Sequence, residues 1–365
     1  MFRVTAVYDV PKYKRANQQR VMIVKTLPFG DGAKAEMFKN SFNIFKIETK
    51  MYTQVLPEME RLLSAAGDDT KICPKLLYQT SDPAPTIILE DISQDGFEMI
   101  LKPPGYEGTL KIASMLAKFH ATSMFLQKSG TNLTSFSEAL LFGPVPNSDL
   151  VFVEAVIMPV LSQVLDELKS WPDNDVVVEK FEKTIPKFVN QLKAVYFGKN
   201  DQIYSVLNHC DFHFKNIMVR NSSQGLIDDL ILLDYQCCLW GTPAIDLSYL
   251  LFSMANTEAR ERRNEIIQYY YDEFSSTLKK IGYLGNIPSL LDLNLEILKN
   301  SAIEILHIFC MVIFQFMDFT EVTADELFDM KKDQSLMQRK LMKLPQYQEI
   351  LKRELPRLIA TGIIG

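Results

Sequence analysis

Two short apolar runs, each followed by an isolated carboxylate, constrain this 365-residue chain more than any other feature. They are Val206-Leu-Asn-His-Cys-Asp211-Phe-His-Phe-Lys-Asn216-Ile-Met-Val-Arg220 and Leu230-Ile-Leu-Leu-Asp234-Tyr-Gln236. Apolar runs of this length between turn-forming residues read as strands. Residues 216–220 and 230–235 are expected to form a hairpin around Asn221-Ser-Ser-Gln-Gly225. Asp211 and Asp234 then leave strand ends for loops, where reacting groups usually sit. Taken singly, an aspartate or asparagine there is a turn former or a helix cap. The spacing of the set separates it from that reading.

His209-x-Asp211-x-x-x-x-Asn216 with a carboxylate downstream at Asp234 is the spacing of a kinase catalytic loop and its metal-binding aspartate. Phosphoryl transfer needs those residue types. An aspartate accepts the proton of the attacking hydroxyl, and a neutral carbonyl with an anionic oxygen holds Mg²⁺ against the phosphates.

The N-terminal part supplies what such a site would require. Residues 2–9 alternate Phe2, Val4, Ala6, Tyr8 against Arg3, Thr5, Val7, Asp9, a strand pattern. Lys12 to Arg20 is expected to connect to a second strand over 21–27, where Lys25 shares a face with Val21 and Ile23. A lysine on an apolar face needs a partner or an anion; the alternative is an edge lysine that snorkels to water. Phe38, Phe42, Phe45, Tyr52 and Val55 mark the inward stripe of a helix, and Glu48 falls inside it. Glu48 is therefore the expected partner of Lys25, a pairing that kinases use to hold nucleotide phosphates. Glu36 and Glu58 read as solvated or terminal acids. Two more strands follow at 76–78 and 86–91. Leu89, Glu90, Asp91 and Ile92 are expected to offer backbone groups to adenine beside Ile23.

Beyond Asp91 the pattern turns helical. Residues 109–126 carry Ile112, Leu116, Phe119 and Ser123 at helical spacing, with His120 beside them as a hydrogen-bonded structural residue. Residues 135–200 read as helices interrupted at Gly143-Pro144, Pro146 and Trp171-Pro172. Asp246, in the first turn of a helix after Gly241-Thr-Pro243, fits either a cap of that turn or a brace for the catalytic loop. His209 is a further support residue. The expected fold is α+β and two-lobed, with a small antiparallel-sheet lobe over 1–92 and a large, mostly helical lobe over 93–365.

Composition narrows the partners. With a net charge of −6 and no Lys/Arg-rich run, a nucleic-acid or anionic-membrane surface is not expected. Five cysteines without metal-type spacing or an even set suit a reducing, cytoplasmic compartment. The N-terminus lacks the uncharged core of a signal peptide. The longest apolar stretch, 308–317, is roughly half the length that a bilayer demands, so it is expected to be a buried helix and not a membrane insertion.

Val24-Lys25-Thr-Leu-Pro28, Glu48 ahead of Tyr52 and Val55-Leu-Pro57, Leu89-Glu-Asp91, Leu116-Ala-Lys-Phe-His120, His209-x-Asp211 with Asn216-Ile-Met218, Asp234-Tyr-Gln236 and Gly241-x-Pro-Ala-x-Asp246-Leu stand in order along the chain. Together they resemble the ecdysteroid kinase-like family of insects, grouped with choline kinases and aminoglycoside phosphotransferases. The resemblance covers nearly the whole chain. It implies a protein-kinase-like fold and ATP- and Mg²⁺-dependent phosphorylation of a hydroxyl on a small hydrophobic molecule, an ecdysteroid or a xenobiotic-like alcohol. It also implies Asp211 as base, Asn216 and Asp234 as metal ligands, Lys25 and Glu48 as phosphate supports, and an acceptor pocket in the helical C-terminal half. No Ala-Pro-Glu follows Asp234, which argues against a protein substrate.

Three departures from the family pattern stand out. The family's first strand and phosphate-covering turn are expected ahead of Phe2, where this sequence has only Met1: either the sequence starts short of the natural protein's beginning, or the protein lacks the cover over the phosphates. Cys210 replaces the usual glycine between His and Asp, a strain if that position takes positive φ. Lys215 replaces a second asparagine and fits either a phosphate contact or a solvated side chain. These leave open a catalytically impaired binding protein, or a choline- or aminoglycoside-type kinase whose cationic acceptor would want an acidic or aromatic pocket.

Overall fold

The structure, a computed structural model, describes residues 1–13, 15–26, 42–137, 153, 157–198, 202–316 and 342–365. The expectations at Leu27-Pro28, Glu36, Phe38, Gly143-Pro144, Pro146 and Met317 lie outside the described residues.

Alternating and β-branched residues at the N-terminus form β1 (Phe2–Val10) and β2 (Arg15–Thr26). β2 starts at Arg15, not at Val21. A tight turn at Pro11–Tyr13 lets residues 15–20 pair with β1 instead of looping. The alternation of β1 buries no face, and only Ala6 and Val10 are even half-buried. β1 is an edge strand among the described residues, and polar Gln18–Arg20 lie across its far half. With β3 (Leu76–Thr80) and β4 (Thr86–Glu90) the sheet is antiparallel, in the order β1-β2-β4-β3.

Against this sheet runs α1 (Phe42–Lys50), which passes through a widened π turn, Met51–Val55, into α2 (Leu56–Ala65). The ladder widens just ahead of Pro57, which has no N–H to continue it. Leu56 N donates to Met51 O at that point. Phe45, Glu48, Met51, Tyr52 and Val55 face inward, as the stripe predicts, whereas Glu58 is half-buried and pairs with Arg61.

The rest is mostly helical. α3 (Tyr106–Lys128) buries Ile112, Leu116, Phe119, His120 and Ser123 completely. Around it lie α4 (Met158–Lys169), α5 (Asp175–Phe197), α6 (Ala244–Tyr249), α7 (Thr257–Glu261), α8 (Arg263–Lys280), α9 (Leu290–Lys299), α10 (Ala302–Ile305) and α11 (Pro345–Ala360). Two small antiparallel sheets interrupt them. One joins β5 (Glu98–Met99), β7 (Ile217–Asn221) and β8 (Ile227–Leu232); the other joins β6 (Val206–Asn208) and β9 (Leu239–Gly241). The β7–β8 hairpin matches the sequence reading, although β8 stops two residues before Asp234. β5, β6 and β9 are too short to show a periodicity. The apolar stretch near 308 is buried, but as a π turn (Leu306–Met311) followed by a 3-10 turn (Val312–Phe316) and not as one helix. No helix among the described residues is long and apolar enough to cross a membrane. A small sheet lobe against a large helical lobe is the two-lobed, protein-kinase-like arrangement expected.

His307 lies in that π turn, fully buried, with its ring edge-on to Tyr249 at 4.2 Å between centroids. Burial pushes its pKa down to about 3, against the opposing pull of Asp246. A depressed histidine adds stability that is present above its ordinary pKa, and that stability is lost as pH falls. Stability is therefore expected to drop between about pH 6.5 and about pH 3, where only the unfolded chain gains this proton. His307→Leu should flatten that part of the curve. Denaturant titrations of both proteins across this pH range measure the difference.

Candidate active site

Four segments meet at the junction of the two lobes. β2 presents Lys25. Its Nζ lies 2.7 Å from Glu48 Oε2 and 2.9 Å from Oε1, and it also contacts Asp234 Oδ1. Glu48 comes from the inward face of α1 and is 1 % exposed. One ammonium thus serves two carboxylates. Burial would lower the Lys25 pKa, but Glu48 and Asp234 outweigh it and hold the amine charged. Burial pushes Glu48 up to about 7, with Lys25 pulling against it and the charge of Asp234 adding to the rise.

Asp211 and Asn216 come from the loop after β6. That loop is shaped by Asp246, fully buried in α6, which accepts from His209 N (2.6 Å) and Cys210 N (2.9 Å) and from the His120 ring (3.1 Å). His120 in turn takes a 2.7 Å bond with the Tyr270 hydroxyl, the structural role expected of it. Of the two roles open to Asp246, the brace is the one its contacts show. The Ser123 hydroxyl adds a tie from α3 by accepting Leu207 N at 2.9 Å. The His209 ring donates to Leu233 O at 2.8 Å, and Leu233 N donates to Asn216 O at 2.8 Å. The loop bearing Asp211 is in this way joined to the segment bearing Asp234.

Asn216 spends its amide nitrogen on Asp211, at 3.0 Å to Oδ2 and 2.9 Å to the main-chain oxygen. Burial pushes the Asp211 pKa up. The His213 contact, the nearby His209 ring and the Asn216 amide more than offset this, so the carboxylate sits below its usual range and is ionised. The Asn216 carbonyl oxygen and the Asp234 carboxylate are hard-oxygen groups of the kind that suits Mg²⁺. No cluster of three or more His, Cys, Asp or Glu among the described residues could hold a metal. An ion here would complete its shell with phosphate oxygens and water, as Mg²⁺ commonly does.

Asp234 is turned into the cleft by a left-handed backbone, φ +68°. Tyr235 fixes that turn. Its ring is fully buried against Tyr52, Phe119 and His209, and its hydroxyl donates to Ile72 O at 2.9 Å.

The nucleotide-facing residues expected at the lobe crossing divide. Ile23 and Leu89 stand opposite each other on the face that carries Lys25, an apolar surface able to take a base. The Glu90 side chain points to the other face and accepts Lys75 N at 2.7 Å, while Glu90 N donates to Lys75 O. Asp91 caps the turn Ile92–Asp95 through Ser93 N and pairs with Arg3 at 2.7 Å. Ile92 packs in a separate small cluster with Phe97 and Ile231, and its carbonyl already accepts Phe97 N. Arg3, His213 and Tyr235 were not singled out in the sequence. His213, two residues after Asp211, and Tyr235, next to Asp234, lay where the motifs could have drawn notice.

Residues 1–283 match the Ecdysteroid kinase-like family. The chain belongs to that family. No curated protein matches it. Among solved structures, the AMP-bound spectinomycin phosphotransferase APH(9)-Ia is 15 % identical, with a TM-score of 0.42, over 92 % of this chain and 88 % of that one. Plasmodium vivax ethanolamine kinase is 13 % identical, with a TM-score of 0.36, over 95 % and 83 %. A choline/ethanolamine kinase family protein from Mesorhizobium loti is 12 % identical, with a TM-score of 0.32, over 81 % and 82 %.

Cys210, which departs from the usual glycine, does take positive φ, +61°. Burial and the Asp246 carboxylate push its thiol well up, so it is no ready nucleophile. The left-handed region costs an L-residue about 1–2 kcal/mol, and a β-branched side chain is worse placed there than cysteine. Cys210→Gly is therefore expected to fold at least as stably as Cys210→Ala, and Cys210→Val to melt lowest of the three by calorimetry. Asp246→Ala would strand two buried N–H groups and one imidazole. A loss on the order of 3 kcal/mol is expected in urea denaturation.

Proposed function

We propose that this family member is an ATP- and Mg²⁺-dependent phosphotransferase that acts on the hydroxyl of a small hydrophobic alcohol of ecdysteroid or xenobiotic-like type. The observation that carries the reading is the Lys25 bridge between Glu48 and Asp234, beside the Asp211–Asn216 pair. It gathers a cation, a base and hard-oxygen donors from four parts of the chain. Residues 1–92 would serve as the nucleotide lobe and 93–365 as the lobe for catalysis and acceptor.

In this mechanism Ile23 and Leu89 pack the base, and Lys25, held by Glu48, takes phosphate oxygens. Bound Mg²⁺ would supply charge neutralisation at the phosphates, with Asn216 and Asp234 as its protein ligands. Asp211 accepts the acceptor's proton as its oxygen attacks phosphorus. His209 and Asp246 keep the loop in register and do not touch the substrate.

Asp211→Asn is expected to cut kcat on the order of 10²–10⁴-fold with the fold intact, measured against a panel of hydrophobic alcohols. ATP with Mg²⁺ should raise Tm more than ATP with EDTA, and Asp234→Asn should erase that difference. A Tm indifferent to Mg²⁺ in the parent protein would favour the impaired binding protein instead.

A further inference from the structure

Both oxygens of the Asp211 carboxylate have a side-chain nitrogen close by. Asn216 Nδ2 occupies Oδ2 at 3.0 Å, and His213 Nε2 lies 3.2 Å from Oδ1. The backbone sets His213 in that place. Its N donates to Asp211 O at 3.0 Å, and its O accepts Asn216 N at 2.8 Å. The imidazole is about one-third exposed, yet its Nδ1 is buried and has no hydrogen-bond partner among the described residues. A buried N–H without a partner is rarer than an unused lone pair. A carboxylate, in turn, can only accept. Both facts favour the tautomer with its proton on Nε2, the nitrogen nearer Asp211.

We propose that His213 is a positioning residue for the base: its Nε2–H anchors Asp211 Oδ1, so that the carboxylate meets the acceptor hydroxyl in a single orientation. The inference rests on the phosphotransferase reading. With Asn216 alone the carboxylate could turn about its last bond, and a second donor on the other oxygen removes that freedom. The proton balance is unchanged. The acceptor oxygen bonds to the γ-phosphorus, the bond to the β–γ bridging oxygen breaks with its electron pair leaving on ADP, and the hydroxyl proton goes to Asp211. The His213 proton stays on Nε2 throughout.

The chain has four histidines, so ring ¹⁵N–¹H correlation spectra can be assigned by substitution. At about pH 8, where an ordinary imidazole is neutral, His213 is expected to show a protonated Nε2 and a bare Nδ1. Asp211→Ala should weaken that bias. A proton on Nδ1, or a spectrum indifferent to Asp211→Ala, overturns the proposal. Kinetics give a second reading. Glutamine can place an amide nitrogen where Nε2 lies, and asparagine places one where Nδ1 lies. His213→Gln should keep kcat close to that of the parent protein. His213→Asn and His213→Ala should lose on the order of 10–100-fold in kcat at unchanged KM for ATP. Equal kcat in the Gln and Asn variants, or a loss confined to KM, overturns the positioning role. If the parent protein phosphorylates no alcohol, the phosphotransferase reading falls and the positioning role with it, while the ring spectrum still reports whether the Nε2–H contact exists.

Discussion

The architecture of this cleft depends on a carboxylate that never meets solvent. Asp246 takes three hydrogen-bond donors, two from the main chain of His209 and Cys210 and one from the ring of His120. A buried charge is tolerated only when it is so satisfied. In return it bends the chain after β6 through a conformation that an L-residue resists, with Cys210 at φ +61°. The direction in which Asp211 leaves the strand follows from that bend. The same aspartate roots the loop in α6 and, through His120 and Tyr270, in the pair of long helices α3 and α8. The loop that carries Asp211 is thus tied to the helices of the large lobe.

Much of this could be read from the residues. Lys25 and Glu48 announce themselves because a charge on an apolar face must be answered, and their meeting at 2.7 Å needs only strand period two and helix period 3.6. The β7–β8 hairpin and α3 follow from equally long patterns. What escaped has short range or no period. β5, of two residues, and β6 and β9, of three each, carry too few side chains to alternate. The start of β2 was missed because residues 15–20 are polar on both faces, where an edge hairpin has no core to declare. Glu90 and Asp91 lie in the expected place, but their side chains were committed by partners far away in sequence, Lys75 and Arg3.

Sharing one ammonium between Glu48 and Asp234 has a thermodynamic side. The group that would have to release Asp234 for a metal is the group that would bind phosphate. A ligand engaging Lys25 therefore lowers the cost of engaging Asp234, and the reverse holds by the same amount, as linkage requires.

Tyr235 gives the cleft a different character. Its ring is a wedge driven between the helix that bears Glu48 and the loop that bears Asp211, touching Tyr52 on one side and His209 on the other. Swinging that helix outward would uncover two buried phenol rings and pull Tyr52 off Tyr235. A molecule assembled this way behaves as a latch already shut. Within this packing, moving the helix means breaking the ring contacts that Tyr235 makes on both sides.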